Sequence, residues 1–229
     1  MAKVKKETFK EMLADLKSKA VSAAKPVATI EERKYFLIVC EGERTEPIYF
    51  DHLRNFLPKN LVETIKIIGQ GDNTINIVRK AIEEREARAA DPVKPPFDEV
   101  WAVFDKDDFP NARFDNAVSL AHQSGIENGS SNQAFELWYV LHFQFLQTAI
   151  RREAYFAILT KLLGFRYEKN SSKVVEELFR KGSVRQAIKW AETLEKMHDG
   201  KTPSDSCPST NIYKLVDRLL VYSKRKDDL

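Results

Sequence analysis

Three short stretches of the sequence bring carboxylates together or set one in apolar surroundings. Residues 41–43 (Glu-Gly-Glu) follow an apolar run at 35–40, residues 105–108 (Asp-Lys-Asp-Asp) follow another at 100–104, and Glu136 stands among aromatic and aliphatic residues. Bunched carboxylates repel one another, so a fold that gathers them usually neutralises them with a cation. Hard oxygen ligands around an open site favour Mg²⁺, which keeps several waters and bridges phosphate oxygens. The residue types therefore indicate metal-assisted phosphoryl chemistry.

Each stretch also has a simpler interpretation. Glu41 could face solvent in a turn where Gly42 supplies a left-handed conformation, and residues 105–108 could form a solvated turn or a helix N-cap. Glu136 could belong to a structural salt bridge, because a carboxylate in apolar surroundings must be paired, protonated or metal-bound. The three stretches together favour the metal more strongly than any one of them does.

Apolar periodicity predicts the elements that would position these carboxylates. Continuous apolar runs are typical of strands buried on both faces, and they predict strands at 35–40, 62–68 and 100–104, with a short fourth near 125–128. Strand–helix alternation at this spacing predicts an α/β fold with a mostly parallel, doubly wound sheet of four strands, in which ligands gather beyond the carboxyl ends of the strands. Helical spacing covers residues 6–20, 45–56, 74–90, 112–124, 135–149, 151–163, 172–199 (with a break at Gly182-Ser183) and 210–226. We therefore expect an N-terminal helix and linker (1–33), an α/β core (34–150) and a helical C-terminal region (151–229).

The formal net charge of +3 is the balance of three regions of different sign. Residues 1–34 carry +4, residues 35–150 carry −7 and residues 151–229 carry +6. This distribution excludes a uniformly basic nucleic-acid-binding surface, although the basic flanks could contact phosphates. No apolar run approaches the roughly 18 residues of a membrane-spanning helix. Two cysteines do not make a disulfide framework, which indicates the reducing cytoplasm.

The sequence also lacks the motifs of several other enzyme classes. It contains no Gly-x₄-Gly-Lys-Ser/Thr loop of a P-loop ATPase and no Gly-x-Ser-x-Gly nucleophile elbow. Its four histidines do not have the spacing of a zinc site.

Four motifs resemble those of one protein family. Residues 36–50, Phe-Leu-Ile-Val-Cys-Glu-Gly-Glu-Arg-Thr-Glu-Pro-Ile-Tyr-Phe, resemble the opening motif of the RloB-like family. Residues 103–109 resemble its acidic motif, residues 131–138 its Ser-Asn-x-x-Phe-Glu-x-Trp motif, and residues 208–211 its C-terminal signature. The matches occur in family order and cover about residues 34–220. The resemblance implies a function in prokaryotic anti-phage defence, such as abortive infection, linked to restriction loci.

The resemblance also implies a Toprim-like (Rossmann-like) fold with a C-terminal helical appendage. Toprim enzymes place one Glu after the first strand and Asp-x-Asp after a later one, which here are Glu41, Asp105 and Asp107. In such enzymes the aspartates bind Mg²⁺ (or Mn²⁺), whereas the Glu binds metal or takes part in proton transfer, and both roles stay open for Glu41. Asp108 is extra to the pattern and is a further candidate metal ligand. Glu136 belongs to the RloB-like motif and is a candidate catalytic residue.

Basic residues near these motifs are candidates for contact with a nucleic-acid backbone. The candidates are Arg44, Lys106, Arg151, Arg152 and Lys173. Lys106 and Arg44 neighbour candidate carboxylates in the sequence, so either could act catalytically by stabilising charge on a scissile phosphate. Helical Lys and Arg residues are more commonly solvated surface residues.

Our leading hypothesis is a Mg²⁺-dependent Toprim-type endonuclease that hydrolyses phosphodiester bonds in DNA or RNA. The alternative is an effector or sensor subunit that needs a partner protein, such as an ATPase encoded nearby, and self-association into a homo-oligomer is also open. A phosphatase-like reaction with Asp105 as nucleophile fits less well, because a nucleophile of the haloacid-dehalogenase type normally follows the first strand of the sheet.

Overall fold

The computed structural model describes residues 34–62, 65–69 and 73–223. Contacts divide the chain after Glu32 into two units, and the described residues all belong to the second. The predicted N-terminal helix and linker (1–33), residues 63–64 and 70–72, and the end of the helix predicted over 210–226 lie outside the described residues. Within the described ranges, no helix is both long enough and apolar enough to cross a membrane.

A mostly parallel sheet forms the centre of the described fold. Its strands are β1 (Phe36–Cys40), β2 (Ile65–Gly69), β3 (Glu99–Asp105), β4 (Glu127–Asn132) and β5 (Ser209–Thr210). The order across the sheet is β2-β1-β3-β4-β5. The first four strands pair in parallel, whereas β5 is antiparallel to β4. The predicted α/β class with a mostly parallel sheet is therefore confirmed.

Helices cover both faces of this sheet. They are α1 (Thr45–Leu53), α2 (Lys59–Val62), α3 (Thr74–Ala89), α4 (Asn111–Gln123), α5 (Glu136–Leu141), α6 (Arg152–Leu163), α7 (Ser172–Lys181), α8 (Val184–Met197) and α9 (Ile212–Leu220). Leu37 and Val39 of β1 pack with α3 and α4 in one cluster of buried side chains. Phe36 and Ile38 belong to a second cluster with α1 and α5–α9. Burial on both faces explains why β1 is apolar throughout.

The last two strands differ from the sequence-based prediction. β4 lies at Glu127–Asn132 instead of near residues 125–128, and its sequence is polar. The Ser131 and Thr210 hydroxyl oxygens lie 2.9 Å apart, and the Asn132 amide donates to the Ser204 carbonyl over 2.9 Å. Because these buried polar groups have hydrogen-bond partners, the strand does not need the apolar pattern that reveals a strand in a sequence. β5 has only two residues, too few for a periodic signal, and the described part of the chain forms a sheet of five strands instead of the predicted four.

The helices of the C-terminal region follow the prediction more closely. The break predicted at Gly182-Ser183 is confirmed, since α7 ends at Lys181 and α8 begins at Val184. The helix predicted over residues 135–149 is shorter and ends at Leu141. The N–H of Ser183 donates to the His142 carbonyl over 2.8 Å, so this carbonyl has a partner outside the helix. The predicted boundary at residue 150 stays a prediction, although buried side chains from both sides of it share one cluster.

His142 is buried at the end of α5 and is neutral. Its Nδ1–H donates to the Trp138 carbonyl over 2.9 Å, so its Nε2 accepts from the Tyr49 hydroxyl over 3.3 Å. Burial disfavours the charged imidazolium and lowers the pKa of His142 to about 4. Protonation would therefore remove the acceptor that Tyr49 uses.

Because His142 is buried in its neutral form, we expect the protein to lose stability in acid. The unfolded chain protonates the residue below about pH 6.5, whereas the folded protein does so only near its lowered pKa of about 4. The contribution of neutral His142 to the free energy of unfolding is complete above the pKa of the unfolded chain. It is lost as the pH falls toward the lowered pKa, by up to about 3 kcal/mol. Chemical denaturation at about pH 7 and about pH 4.5 should show a larger loss for the wild type than for His142→Gln. Equal losses in the two proteins would contradict this assignment.

Candidate active site

An acidic cleft of about 270 Å³ opens at the carboxyl ends of β1 and β3. Its walls come from the residues after these strands, from the starts of α1, α5 and α6, and from the turn between α6 and α7. The ionisable residues that line it are Glu41, Glu43, Glu46, Asp105, Asp107, Glu136, Arg152 and Lys169. The structure therefore brings together the predicted candidates Glu41, Asp105, Asp107 and Glu136, and six carboxylates face two basic side chains.

Glu41 is fixed between the two central strands. Its N–H donates to the Val103 carbonyl over 2.8 Å, and its Oε2 accepts from the N–H of Asp105 over 2.9 Å. Burial, with a smaller contribution from the nearby Asp107, raises the pKa of Glu41 to about 7 against the opposing hydrogen bond from Asp105. The carboxyl group can thus exchange a proton near neutral pH.

Asp105 is the last residue of β3 and is 9% exposed. Its Oδ2 accepts from the N–H of Phe135 over 3.0 Å, which joins β3 to the start of α5. Burial raises the pKa of Asp105 well above its usual value, and the carboxylates of Glu46 and Glu136 raise it further. A nearby cation would relieve this repulsion.

Asp107 turns back toward the cleft from a left-handed backbone conformation, with φ at +48°. Its N–H donates to the Gln133 carbonyl over 3.0 Å. Its Oδ1 forms an ion pair with the Arg152 guanidinium over 2.6 Å. Burial raises the pKa of Asp107, while Arg152 and Lys169 oppose that rise.

Glu136 is paired, which was one of the three states expected for it from the sequence. Its side chain is only 1% exposed. Its Oε1 accepts from the Tyr167 hydroxyl over 3.0 Å and lies 3.3 Å from the Lys169 ammonium. Both partners precede α7, in a segment from which no site residue was predicted.

Glu46 is an acidic residue of the cleft that the sequence analysis did not single out. It lies in the first turn of α1, where a Glu is ordinarily explained by the helix dipole. The residue is 5% exposed, and its Oε2 has no hydrogen-bond partner among the described residues. Burial raises the pKa of Glu46 to about 7, and Glu136 contributes to the rise. A Cβ at position 42 would overlap this oxygen, so glycine there makes room for the Glu46 carboxylate.

The structure places three predicted site residues elsewhere. The Lys106 ammonium donates to the Phe109 carbonyl over 3.3 Å within its own turn, because successive side chains of an extended segment point to opposite sides. Asp108 and Arg44 are exposed, and none of the three lines the cleft. Proximity in sequence therefore did not bring these side chains into the cleft, and their contact with a scissile phosphate or a metal stays a prediction.

Of the predicted basic contacts on the C-terminal helices, Arg152 alone is brought into the cleft. Arg151 is exposed at the residue before α6. Lys173 is exposed at the start of α7, with its ammonium 4.5 Å from the centre of the Phe165 ring. Lys169, which was not predicted, supplies the second positive charge of the cleft.

The acidic residues of the cleft suit a hard divalent cation by their chemistry. Their donor atoms are carboxylate oxygens, which Mg²⁺ and Mn²⁺ prefer, and the unpartnered Glu46 Oε2 is one such donor. In the described ranges, no three His, Cys, Asp or Glu side chains already converge as metal ligands. Asp107 instead pairs with Arg152, and Glu136 pairs with Lys169. The residues therefore fit a cation that replaces basic side chains now present.

The fold and the site define an α/β protein of Rossmann-like type with an acidic cleft at the carboxyl edge of its sheet. Comparison with family models gives a match to the RloB-like protein family over residues 36–219. The chain therefore belongs to this family, as its motifs predicted. The matched region runs from β1 into α9 and includes every residue that lines the cleft. Comparisons with curated proteins and with solved structures gave no match.

Proposed function

We propose that this protein is a Mg²⁺-dependent (or Mn²⁺-dependent) Toprim-type endonuclease that hydrolyses phosphodiester bonds in DNA or RNA. The observation that carries the proposal is the cleft in which Glu41, Asp105 and Asp107 meet two basic side chains at the carboxyl ends of parallel strands. Ligands of parallel α/β sheets bind at this edge. A function in cytoplasmic anti-phage defence is proposed from the family resemblance.

Each residue of the cleft has a chemical role in this proposal. Asp105 and Asp107 would hold the Mg²⁺ ion, which would supply positive charge to the phosphoryl oxygens and orient the attacking water. Glu41 would share in this ligation or would accept a proton from the water, and its pKa of about 7 suits the second role at neutral pH.

The positive charges of the cleft have the complementary role. Arg152 and Lys169 are positioned to donate hydrogen bonds to the phosphate, as charge develops on its oxygens. In this proposal Arg152 and Lys169 stabilise charge on the scissile phosphate, the role expected of Lys106 or Arg44 from the sequence.

A partner-dependent form of the same enzyme is the second candidate. It is favoured by the ion pairs of Asp107 with Arg152 and of Glu136 with Lys169, which neutralise carboxylates that a cation would need. A partner protein, such as an ATPase encoded nearby, would then favour the rearrangement that opens these pairs.

A substrate panel tests the proposed activity. Purified protein is incubated with tRNA, single-stranded DNA and duplex DNA, with Mg²⁺, with Mn²⁺ and with a chelator. We expect cleavage of at least one substrate with metal and none with the chelator, because the carboxylates alone repel the phosphate backbone. Cleavage that persists in the chelator would contradict the metal mechanism. Cleavage that needs the product of a neighbouring gene would identify the partner-dependent form.

A further inference from the structure

The turn between α6 and α7 places a basic side chain, Lys169, beside the buried Glu136 in the cleft. Three side chains of this turn reach residues of α1 and α5. The Tyr167 hydroxyl donates to Glu136, the Lys169 ammonium lies 3.3 Å from Glu136 Oε1, and the Asn170 side-chain carbonyl accepts from the Thr45 hydroxyl over 2.8 Å. Asn170 has φ at +60°, a left-handed conformation that Asn tolerates and that forms the turn.

The ammonium of Lys169 pairs with one of two neighbouring buried carboxylates. Glu46 and Glu136 are 5% and 1% exposed, and the negative charge of Glu136 contributes to the raised pKa of Glu46. Glu46 Oε2 has no hydrogen-bond partner among the described residues and lines the cleft. Two buried carboxylates side by side are costly unless a cation or a shared proton neutralises them.

The two sides of this contact differ in how firmly they are held. Glu136 is almost wholly buried in α5, whereas the Lys169 side chain is 39% exposed and belongs to a turn. Besides its pair with Glu136, its positive charge lowers the pKa of Glu46 and of Asp107, and the centre of the Phe156 ring is 5.6 Å from the ammonium. A lysine has a flexible four-carbon stem, so the ammonium can leave the carboxylates while the helices stay packed.

We propose that Lys169 is an internal counterion of Glu136 and of the neighbouring Glu46, and that a divalent cation held by Asp105 and Asp107 in the same cleft competes with it for these negative charges. The inference rests on the proposed function, because it assumes that the cleft binds such a cation. It explains why a site rich in carboxylates shows no converged metal ligands in the described residues. The divalent cation would also neutralise Glu46, whose Oε2 is buried with no hydrogen-bond partner among the described residues.

Metal affinity, measured without any substrate, tests the inference. Mn²⁺ binding is followed by electron paramagnetic resonance for the wild type, Lys169→Gln and Lys169→Arg. Removal of the competing charge should tighten Mn²⁺ binding by about tenfold or more, given the effect that one neighbouring charge has on a buried carboxylate. Lys169→Arg keeps the charge and should bind Mn²⁺ within a few-fold of the wild type. Lys161→Gln, which removes an exposed charge from α6, is the matched control and should leave the affinity unchanged.

Thermal unfolding gives a second readout. Without metal, Lys169→Gln should melt below the wild type, because two buried carboxylates lose their counterion. Saturating Mn²⁺ should raise its melting temperature by more than it raises that of the wild type, because tighter binding stabilises more. Should Lys169→Gln fail to fold, the comparison of Glu46→Gln with Glu46→Gln/Lys169→Gln replaces it, since one carboxylate of the pair is then neutral.

The outcomes separate this inference from the proposed function. Wild-type protein that binds Mn²⁺ with the same affinity as Lys169→Gln overturns the counterion role and leaves the proposed nuclease intact. Equal tightening by Lys161→Gln also overturns it, because the effect is then one of overall charge. Failure of every variant to bind Mn²⁺ overturns the proposed metal-dependent function and this inference together.

Discussion

Asp107→Asn and Glu41→Gln are each expected to lower Mg²⁺-dependent cleavage by about 10²–10³-fold, the usual cost of losing one electrostatic group of an active site. Both replacements keep the size of the side chain and remove its charge. Asn at position 107 is a weaker cation ligand, and Gln at position 41 can still accept from the Asp105 N–H but cannot take up a proton. The initial cleavage rate on the best substrate of the panel measures the effect, with thermal unfolding as the check on folding.

Two other carboxylates serve as comparisons for this prediction. Glu153→Gln removes an exposed charge directly after Arg152 and should leave the cleavage rate close to that of the wild type. Asp108→Asn should cost far less than Asp107→Asn, because Asp108 is exposed and does not line the cleft. Equal losses at positions 107 and 108 would contradict the ligands assigned from the structure.

Gly42→Ala is expected to destabilise the protein by about 1–3 kcal/mol, the usual cost of adding a methyl group to a packed site. The added Cβ would overlap Glu46 Oε2, and Glu46 has little free space because it is 5% exposed. The carboxylate would be forced from its place in the cleft, so the cleavage rate should fall as well. Chemical denaturation measures the free energy of unfolding.

A double-mutant cycle isolates the cause of this effect. In a Glu46→Ala background the overlapping oxygen is gone, so Gly42→Ala should cost much less than it does in the wild type. We expect an interaction energy of about 1 kcal/mol or more, as is usual for residues in direct contact. Strictly additive effects would show that Gly42 is needed for a reason other than Glu46.

The sequence was sufficient to predict the parts of the fold that hold the central carboxylates. β1 and β3 are buried on both faces and therefore appear as continuous apolar runs. Glu41 and Asp105 lie at the carboxyl ends of these neighbouring strands, so a parallel pairing was enough to bring them to one edge. The break between α7 and α8 was also predictable, because glycine followed by an N-capping serine interrupts a helix.

Other elements gave no usable signal because their stability depends on distant contacts. β4 is polar, and its buried side chains form hydrogen bonds with Thr210 and Ser204, which lie far along the chain. The short α5 ends just before His142, whose carbonyl accepts a hydrogen bond from the N–H of Ser183. Neither contact can be anticipated from the local periodicity of the sequence.

The positive side of the cleft was the least predictable feature. Lys106 stands between two candidate ligands in the sequence, yet its ammonium bonds to Phe109 within the same turn. Lys169 is more than thirty residues from any predicted ligand, and it reaches Glu136 because α6 and α7 pack beside α5. The +6 charge of residues 151–229 indicated the region that supplies cations but not which side chains do so.

The most direct test of the metal-dependent active site is the position of Mn²⁺, located by anomalous scattering in crystals of the wild-type protein. We predict a peak in the cleft, bound by the carboxylates of Asp105 and Asp107, with the Arg152 guanidinium displaced from Asp107. A protein that cleaves nucleic acid while its Mn²⁺ lies outside this cleft would contradict the assignment of the active site.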